Sequence, residues 1–287
     1  MSTTTVVNRS LRQVIPGQPT SDGAGVKLSR SIGAAPGLRV DPFLMLDEFY
    51  TDQPSDYLAG FPAHPHRGFE TVTYMLDGHM QHKDNFGNTG DLAPGDVQWM
   101  TAARGIIHSE MPQQTEGRMR GFQLWLNLPA AEKMKPASYR DIPAAQMPFV
   151  ALDGGGQARV IAGRLVQDSG VTTGAVSGGS TDPQYYDLHL PAGAEARVPV
   201  PAGHNAFVYL YEGGASVDGR AIALRGAALL SDGETLVLRA GESGARLLLI
   251  AGKPLREPVV QYGPFVMNTR EEIEQALADY QSGQFGR

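Results

Sequence analysis

The 287-residue chain contains no cysteine. This absence excludes disulfide bonds, iron–sulfur clusters, thiolate zinc sites and a cysteine nucleophile. Any redox chemistry must therefore reside in a bound metal. The absence also fits a reducing compartment.

Basic residues are fewer than acidic residues. Lysine and arginine number 24 against 30 aspartates and glutamates, which gives a formal net charge of −6. No basic run is present that could neutralise a series of phosphates. We therefore predict no direct contact with nucleic acid, and any macromolecular partner is expected to be a protein.

Long hydrophobic runs are also missing. The N-terminal segment MSTTTVVNRSLRQVIPGQ lacks the continuous apolar stretch of a signal peptide. No other segment approaches the roughly 20 apolar residues that a membrane span requires. The sequence predicts a cytoplasmic protein with no membrane association.

Glycine and proline are abundant, at 35 and 20 residues, and they separate short apolar runs along the whole chain. This pattern is typical of all-β proteins with many tight turns. A spacing of about ten residues between runs favours a barrel or sandwich. The predicted strands are Phe69–Met75, Val97–Ala102, Phe122–Leu128, Phe207–Tyr211, Thr235–Leu238 and Arg246–Ile250.

Helices are predicted at two places only. Thr269 and Glu272 form a capping-box pattern ahead of an apolar stripe that ends before Gly283. A shorter helix is predicted over 130–135. The proline-rich, charged stretch around it predicts a domain boundary near residue 140, and hence domains 1–140 and 141–287, the second including the C-terminal helix.

Two short motifs carry residues that bind metals. One is His64-Pro65-His66 and the other is His108-Ser109-Glu110. Residues two apart on a strand point to the same face, so two neighbouring strands could surround one ion with four ligands. Three imidazoles and a carboxylate suit Fe, Mn, Ni, Cu or Zn, and they leave coordination positions open for chemistry.

A single histidine is more often a buried structural residue than a ligand. Here three of the seven histidines fall in the two motifs, and this grouping favours metal binding. His189 and His204 have no such neighbour. We therefore predict that the second half of the chain, which repeats the turn-and-strand pattern of the first, is metal-free.

Longer segments carry a family resemblance. The stretches around His64–Glu70 and Gly90–His108 resemble the two motifs of the cupin superfamily. Five further segments in order resemble the pirin family: DPFLMLDEF, HPHRGFETVTY, GIIHSEMP, LWLNLP with KMKPASY, and GPFVMN. The resemblance covers nearly the whole chain and implies a bicupin, with two β-barrel (jelly-roll) domains and a C-terminal helix that packs toward the first domain.

The resemblance also implies a ligand set and a metal. His64, His66, His108 and Glu110 match the pirin ligands of an iron-type site, with Fe(II) expected ahead of Mn, Ni, Cu or Zn. Glu70 matches a position that is a ligand in many cupins. In pirins the second-motif glutamate replaces it, so we expect Glu70 to support the site or pair strands.

The implied activity is that of quercetin 2,3-dioxygenase, in which O2 cleaves the central ring of a flavonol and carbon monoxide is released. Glu110 is the hypothetical base for the flavonol 3-hydroxyl. The aromatic slot that the substrate needs could be lined by Phe61, Phe69, Met100, Phe122, Leu124 or Trp125. The alternative function is a metal-dependent redox sensor that acts through protein partners; an isomerase or a storage-type cupin is more distant.

Overall fold

The computed structural model describes residues 6–35 and 37–287. The chain forms two compact units. The unit that carries the predicted ligands, called the histidine unit, comprises Gln18–Ala144 and Leu255–Arg287. The second unit comprises the N-terminal residues through Gly17 and Ala145–Pro254.

The described residues are mostly β-strands. The first nine are β1 (Asn8–Arg9), β2 (Leu11–Pro16), β3 (Gln18–Asp22), β4 (Val26–Arg30), β5 (Phe43–Thr51), β6 (Phe61–His66), β7 (Phe69–Asp77), β8 (Met80–Asp84) and β9 (Thr89–Leu92). The next nine are β10 (Val97–Thr101), β11 (Ile106–Pro112), β12 (Met119–Asn127), β13 (Ser138–Ile142), β14 (Phe149–Ala151), β15 (Gln157–Ala162), β16 (Arg164–Gln167), β17 (Gly170–Thr173) and β18 (Gln184–Leu190). The last elements are β19 (Glu195–Pro199), β20 (Asn205–Val217), β21 (Arg220–Ala221), β22 (Gly226–Leu230), β23 (Thr235–Gly252), β24 (Val260–Tyr262), β25 (Phe265–Met267) and the helix α1 (Arg270–Gln281).

The histidine unit is built from two main sheets. One has seven strands in the order β13-β10-β7-β12-β5-β4-β3, and the other has four in the order β6-β11-β8-β9. Leu28 and Phe49 of the larger sheet pack with Met80 and Leu92 of the smaller one in a single buried cluster. The predicted all-β fold is thus confirmed for this unit.

The second unit contains a ten-stranded sheet whose main path is β14-β15-β18-β23-β20-β22-β2. Two predicted strands belong to one 18-residue strand, β23, which pairs with both β18 and β20. His189 Nε2 lies 3.0 Å from the Asp187 carboxylate. His204 Nε2 lies 3.7 Å from the Asp182 carboxylate.

The two ends of the chain are exchanged between the units, which differs from the predicted linear division into 1–140 and 141–287. Pairing of β2 with β22 places the N-terminal strands in the second unit. In the histidine unit, the Val266 amide donates to the Arg67 carbonyl, and α1 packs there as well. The composition change near residue 140 lies close to one point at which the chain passes from one unit to the other. The other such points depend on strand pairing between distant segments, which leaves no local signal in the sequence.

The C-terminal helix begins as its sequence predicts. The Thr269 hydroxyl accepts a hydrogen bond from the Glu272 amide, and the Glu272 carboxylate accepts one from the Thr269 amide. Ile273 and Ala276 are buried against Phe265. The helix predicted over 130–135 is a single 3-10 turn, Ala130–Glu132. Within the described parts of the chain, no helix has the length and apolar character to cross a membrane.

Candidate metal centre

Two paired strands bring three histidines together. In the antiparallel pair β6–β11, His64 lies directly opposite His108. His66, two residues further along β6, projects to the same face because side chains alternate along a strand. His66 and His108 are each only 3% exposed. The three histidines of the two sequence motifs therefore meet at one point.

The rings are close enough to share an ion. The centroid of His64 lies 4.7 Å from that of His66 and 4.5 Å from that of His108, and the His66 and His108 centroids are 5.0 Å apart. The three ligand nitrogens lie within 4.8 Å of one another. His64 Nδ1 is 2.8 Å from the Pro62 carbonyl oxygen. When Nδ1 donates its proton there, Nε2 of the same ring is free to be a ligand.

The histidine nitrogens have unused bonding capacity. Both ring nitrogens of His66 and Nε2 of His108 are buried and have no hydrogen-bond partner among the described residues. Burial lowers the pKa of both rings far below the usual histidine value, and the neighbouring imidazoles lower it further. Buried neutral imidazoles without partners are costly unless an ion binds them, so these residues fit a metal.

Glu110 lies beside this group but outside it. A register shift between β6 and β11, with the extra residue in β6, places Glu110 opposite Phe61 rather than opposite Pro62. Its carboxylate lies 3.2 Å from the Thr73 hydroxyl. Burial raises the pKa of the Glu110 carboxyl, and nearby His64 and His82 partly oppose this. Among the described residues, the cluster of ligand atoms within 4.8 Å comprises the histidines alone.

Glu70 points away from the centre. Regular strand structure is interrupted between β6 and β7, and Gly68 in this interval has a φ of +92°. Glu70 then lies opposite Thr101 of β10 and accepts a hydrogen bond of 2.6 Å from its hydroxyl. Glu70 is therefore a strand-pairing residue in this structure.

A cavity of about 920 Å³ opens beside the histidines. Two of the six residues predicted for an aromatic slot line it, Phe61 and Trp125. Phe69 does not line the cavity but packs against Trp125, and the two ring centroids are 4.4 Å apart. Phe122 and Leu124 project to the opposite face of β12, and Met100 packs with Ala102 and Ile106.

The sequence analysis did not identify several polar residues of the cavity wall, among them Arg30, Asp47, Thr73 and Gln123. A signal was available in the alternation of the strands. Gln123 precedes Trp125 by two in FQLWLNL, and Asp47 follows Met45 by two in FLMLDEF, so each is a polar residue at an inward position. Only the pairing of the strands shows that these positions face the same cavity.

Two barrel units, with a histidine cluster in one of them, define a bicupin. Residues 25–126 match the pirin domain and residues 185–286 match the pirin C-terminal cupin domain. The chain belongs to the pirin family.

Individual proteins of known sequence or structure are similar to this chain over nearly its whole length. A Pseudomonas aeruginosa protein provisionally named quercetin 2,3-dioxygenase is 57% identical over 278 residues, or 96% of this chain and 97% of that protein. Human pirin is 42% identical over 272 residues, or 93% of this chain and 90% of that protein. The crystal structure of quercetin 2,3-dioxygenase from Acinetobacter baumannii superposes with a TM-score of 0.88 at 35% identity, covering 98% of this chain and 99% of that one.

Proposed function

We propose that this chain is a metal-dependent dioxygenase that opens the central ring of flavonols such as quercetin with O2 and releases carbon monoxide. The observation that carries the proposal is the cluster of three imidazoles, His64 half-buried and His66 and His108 buried, beside a cavity of about 920 Å³. This volume lies at the upper end of the range of about 300–1,000 Å³ for small-molecule sites. The names of the two dioxygenase relatives support the same activity.

His64, His66 and His108 would hold the metal, with Glu110 as the fourth ligand. Nitrogen and carboxylate ligands accept Fe(II), our preferred ion, and also Mn, Ni, Cu or Zn. A bound divalent ion would supply Lewis acidity that lowers the pKa of the flavonol 3-hydroxyl.

Glu110 would be the residue that moves a proton. Glu110 lines the same cavity as His64 and His66, and the Thr73 hydroxyl lies 3.2 Å from one of its carboxylate oxygens. A carboxylate whose pKa is raised by burial is a stronger base, so Glu110 can accept the 3-hydroxyl proton. Phe61 and Trp125 provide apolar walls that orient a flat ring system and exclude water.

The alternative interpretation, a redox sensor acting through protein partners, predicts a nearly closed site. The cavity has room for a three-ring substrate, and this supports the enzyme.

The test is anaerobic reconstitution with Fe(II), followed by addition of quercetin and O2. Flavonol absorbance, O2 consumption and carbon monoxide would be measured together, with His108→Ala as the control. We expect one O2 consumed for each carbon monoxide released, and neither in the control. A protein that binds the metal tightly but turns over no flavonol would contradict the proposal and favour the sensor.

A further inference from the structure

A row of polar side chains crosses the cavity floor. Arg30, Asp47, Gln123 and Thr73 belong to four adjacent strands, β4, β5, β12 and β7. Each is the direct cross-strand partner of the next. Direct partners lie on the same face of a sheet, with Cβ atoms about 5 Å apart. All four line the cavity that also contains His64 and Glu110.

Most polar groups of this row form hydrogen bonds with neighbouring protein side chains. Arg30 donates to both carboxylate oxygens of Asp47, at 2.8 and 2.7 Å, and to Asp22 at 2.9 Å. The Asp47 side chain is only 3% exposed. Burial raises the pKa of the Asp47 carboxyl, and its bonds to Arg30 oppose this. One arginine thus serves two carboxylates, so this end of the cavity carries excess negative charge.

Gln123 differs from the other residues of the row because part of its side-chain amide has no hydrogen-bond partner among the described residues. The oxygen of its amide lies 2.6 Å from the Thr73 hydroxyl. Thr73 also lies 3.2 Å from Glu110, and a hydroxyl has a single proton to donate. Whichever way the Gln123 amide is turned, one of its polar atoms is bonded to Thr73. The other faces the cavity and has no partner among the described residues.

We propose that Gln123, with Asp47 beside it, forms a second polar subsite that recognises hydroxyl groups on the pendant phenyl ring of the substrate. This inference rests on the proposed function for the class of ligand. In a flavonol the pendant ring is attached to the carbon next to the one that carries the 3-hydroxyl. With the 3-oxygen at the histidines and Glu110, that ring reaches the neighbouring part of the row, since Thr73 contacts both Glu110 and Gln123.

The charge of the row specifies the ligand further. Arg30 bonds to Asp47 of the row and to Asp22 next to it, so two carboxylates share one guanidinium. This part of the cavity wall therefore favours neutral groups that donate hydrogen bonds and disfavours a carboxylate on the same ring. A site built to bond a hydroxyl discriminates against an analogue that lacks it, because its polar groups are then left without partners. The subsite therefore selects hydroxylated flavonols over those with an unsubstituted pendant ring.

The experiment measures binding and turnover separately on the metal-loaded protein. Affinity for flavonols with two, one and no hydroxyls on the pendant ring is measured without O2, by quenching of the fluorescence of Trp125 in the cavity wall. We expect binding about tenfold tighter for the dihydroxylated than for the unsubstituted flavonol. Gln123→Met, which keeps the side-chain length but removes the amide, should reduce this ratio to about twofold or less.

Two further variants keep the result interpretable. Phe61→Leu alters the apolar wall and should weaken all three flavonols in parallel. Gln123→Glu restores a polar atom and should recover part of the preference if Gln123→Met folds poorly, with folding checked by thermal denaturation and metal content.

Equal binding of the three flavonols by the wild-type protein, or a parallel loss in Gln123→Met, would overturn the subsite, as would absence of flavonol binding. Carbon monoxide release in the presence of O2 reports on the proposed function separately. A preference in binding without carbon monoxide release would contradict the dioxygenase and leave the subsite standing.

Discussion

His64 and His108 are direct cross-strand partners, with ring centroids 4.5 Å apart, although 44 positions separate them in the sequence. Neither residue could form the site within its own strand. The pairing of β6 with β11 brings the three imidazoles together. Both ring nitrogens of His66 and Nε2 of His108 are left there without a hydrogen-bond partner among the described residues.

Removal of one imidazole should abolish tight metal binding. Outer partners of metal ligands typically contribute about 10- to 100-fold in affinity, so we expect His108→Ala to weaken metal binding by at least about 100-fold. His79→Ala is the matched control, because His79 lies in the same unit with its side chain 44% exposed. Competition with a chromophoric chelator measures both. Equal affinities would contradict the histidine centre.

Glu110→Gln separates a proton-accepting role from metal binding. The amide keeps the size of the side chain but cannot accept the 3-hydroxyl proton, so we expect turnover to fall by about 100-fold or more while metal still binds measurably. Exposed Glu116→Gln serves as the control. Anaerobic metal titration and flavonol turnover are the two measurements. Unchanged turnover in Glu110→Gln would eliminate the base role.

Gly68 is required for close packing behind His66. A Cβ at this position would collide with the Val266 carbonyl oxygen. Gly87 has nearly the same φ, +90° against +92°, but a Cβ there meets no atom within 4 Å. Gly87→Ala should therefore cost only about 1 kcal/mol of backbone strain, and Gly68→Ala about 2 kcal/mol more. Denaturation curves that shift equally in the two variants would refute this account.

Lys133 should make the free energy of unfolding depend on pH in the alkaline range. Its buried ammonium group donates to the carbonyls of Gly68 and Val266 and to the Asn127 side chain. Burial lowers its pKa from 10.5 to about 8, with Glu257 and Glu272 opposing the shift. Between these two values the unfolded chain holds more protons than the folded chain, so this group makes the free energy of unfolding increase with pH.

The size of this effect is set by the pKa difference, up to about 3 kcal/mol for the whole interval. Lys133→Met removes the titrating group. The stability of the wild-type protein relative to this variant should therefore rise between about pH 8 and pH 10. Thermal unfolding of both proteins across this range is the measurement, and parallel pH profiles would show that Lys133 does not titrate there.

Much of the structure followed from local patterns. The i, i+2 spacing of His64 and His66 predicted a shared face, and the capping box at Thr269 predicted where the helix begins. Both rest on geometry within one strand or one turn. FQLWLNL contributed three of the six slot candidates, Phe122, Leu124 and Trp125, but only Trp125 of these lines the cavity. Side chains alternate along β12, so Phe122 and Leu124 project to its opposite face.

By itself, the sequence determined the all-β class, because this depends on residue types at short spacings, and it indicated the family through segments that resemble pirins along nearly the whole chain. The same resemblance proposed four candidate ligands. Tertiary structure decided what depends on strand pairing. It exchanged the chain ends between the two units, and through a bulge it placed Glu110 against Thr73 outside the histidine cluster. It also aligned Arg30, Asp47, Gln123 and Thr73 in one row. A shift of one residue in register would turn each of these side chains to the other face, and no local pattern records that register.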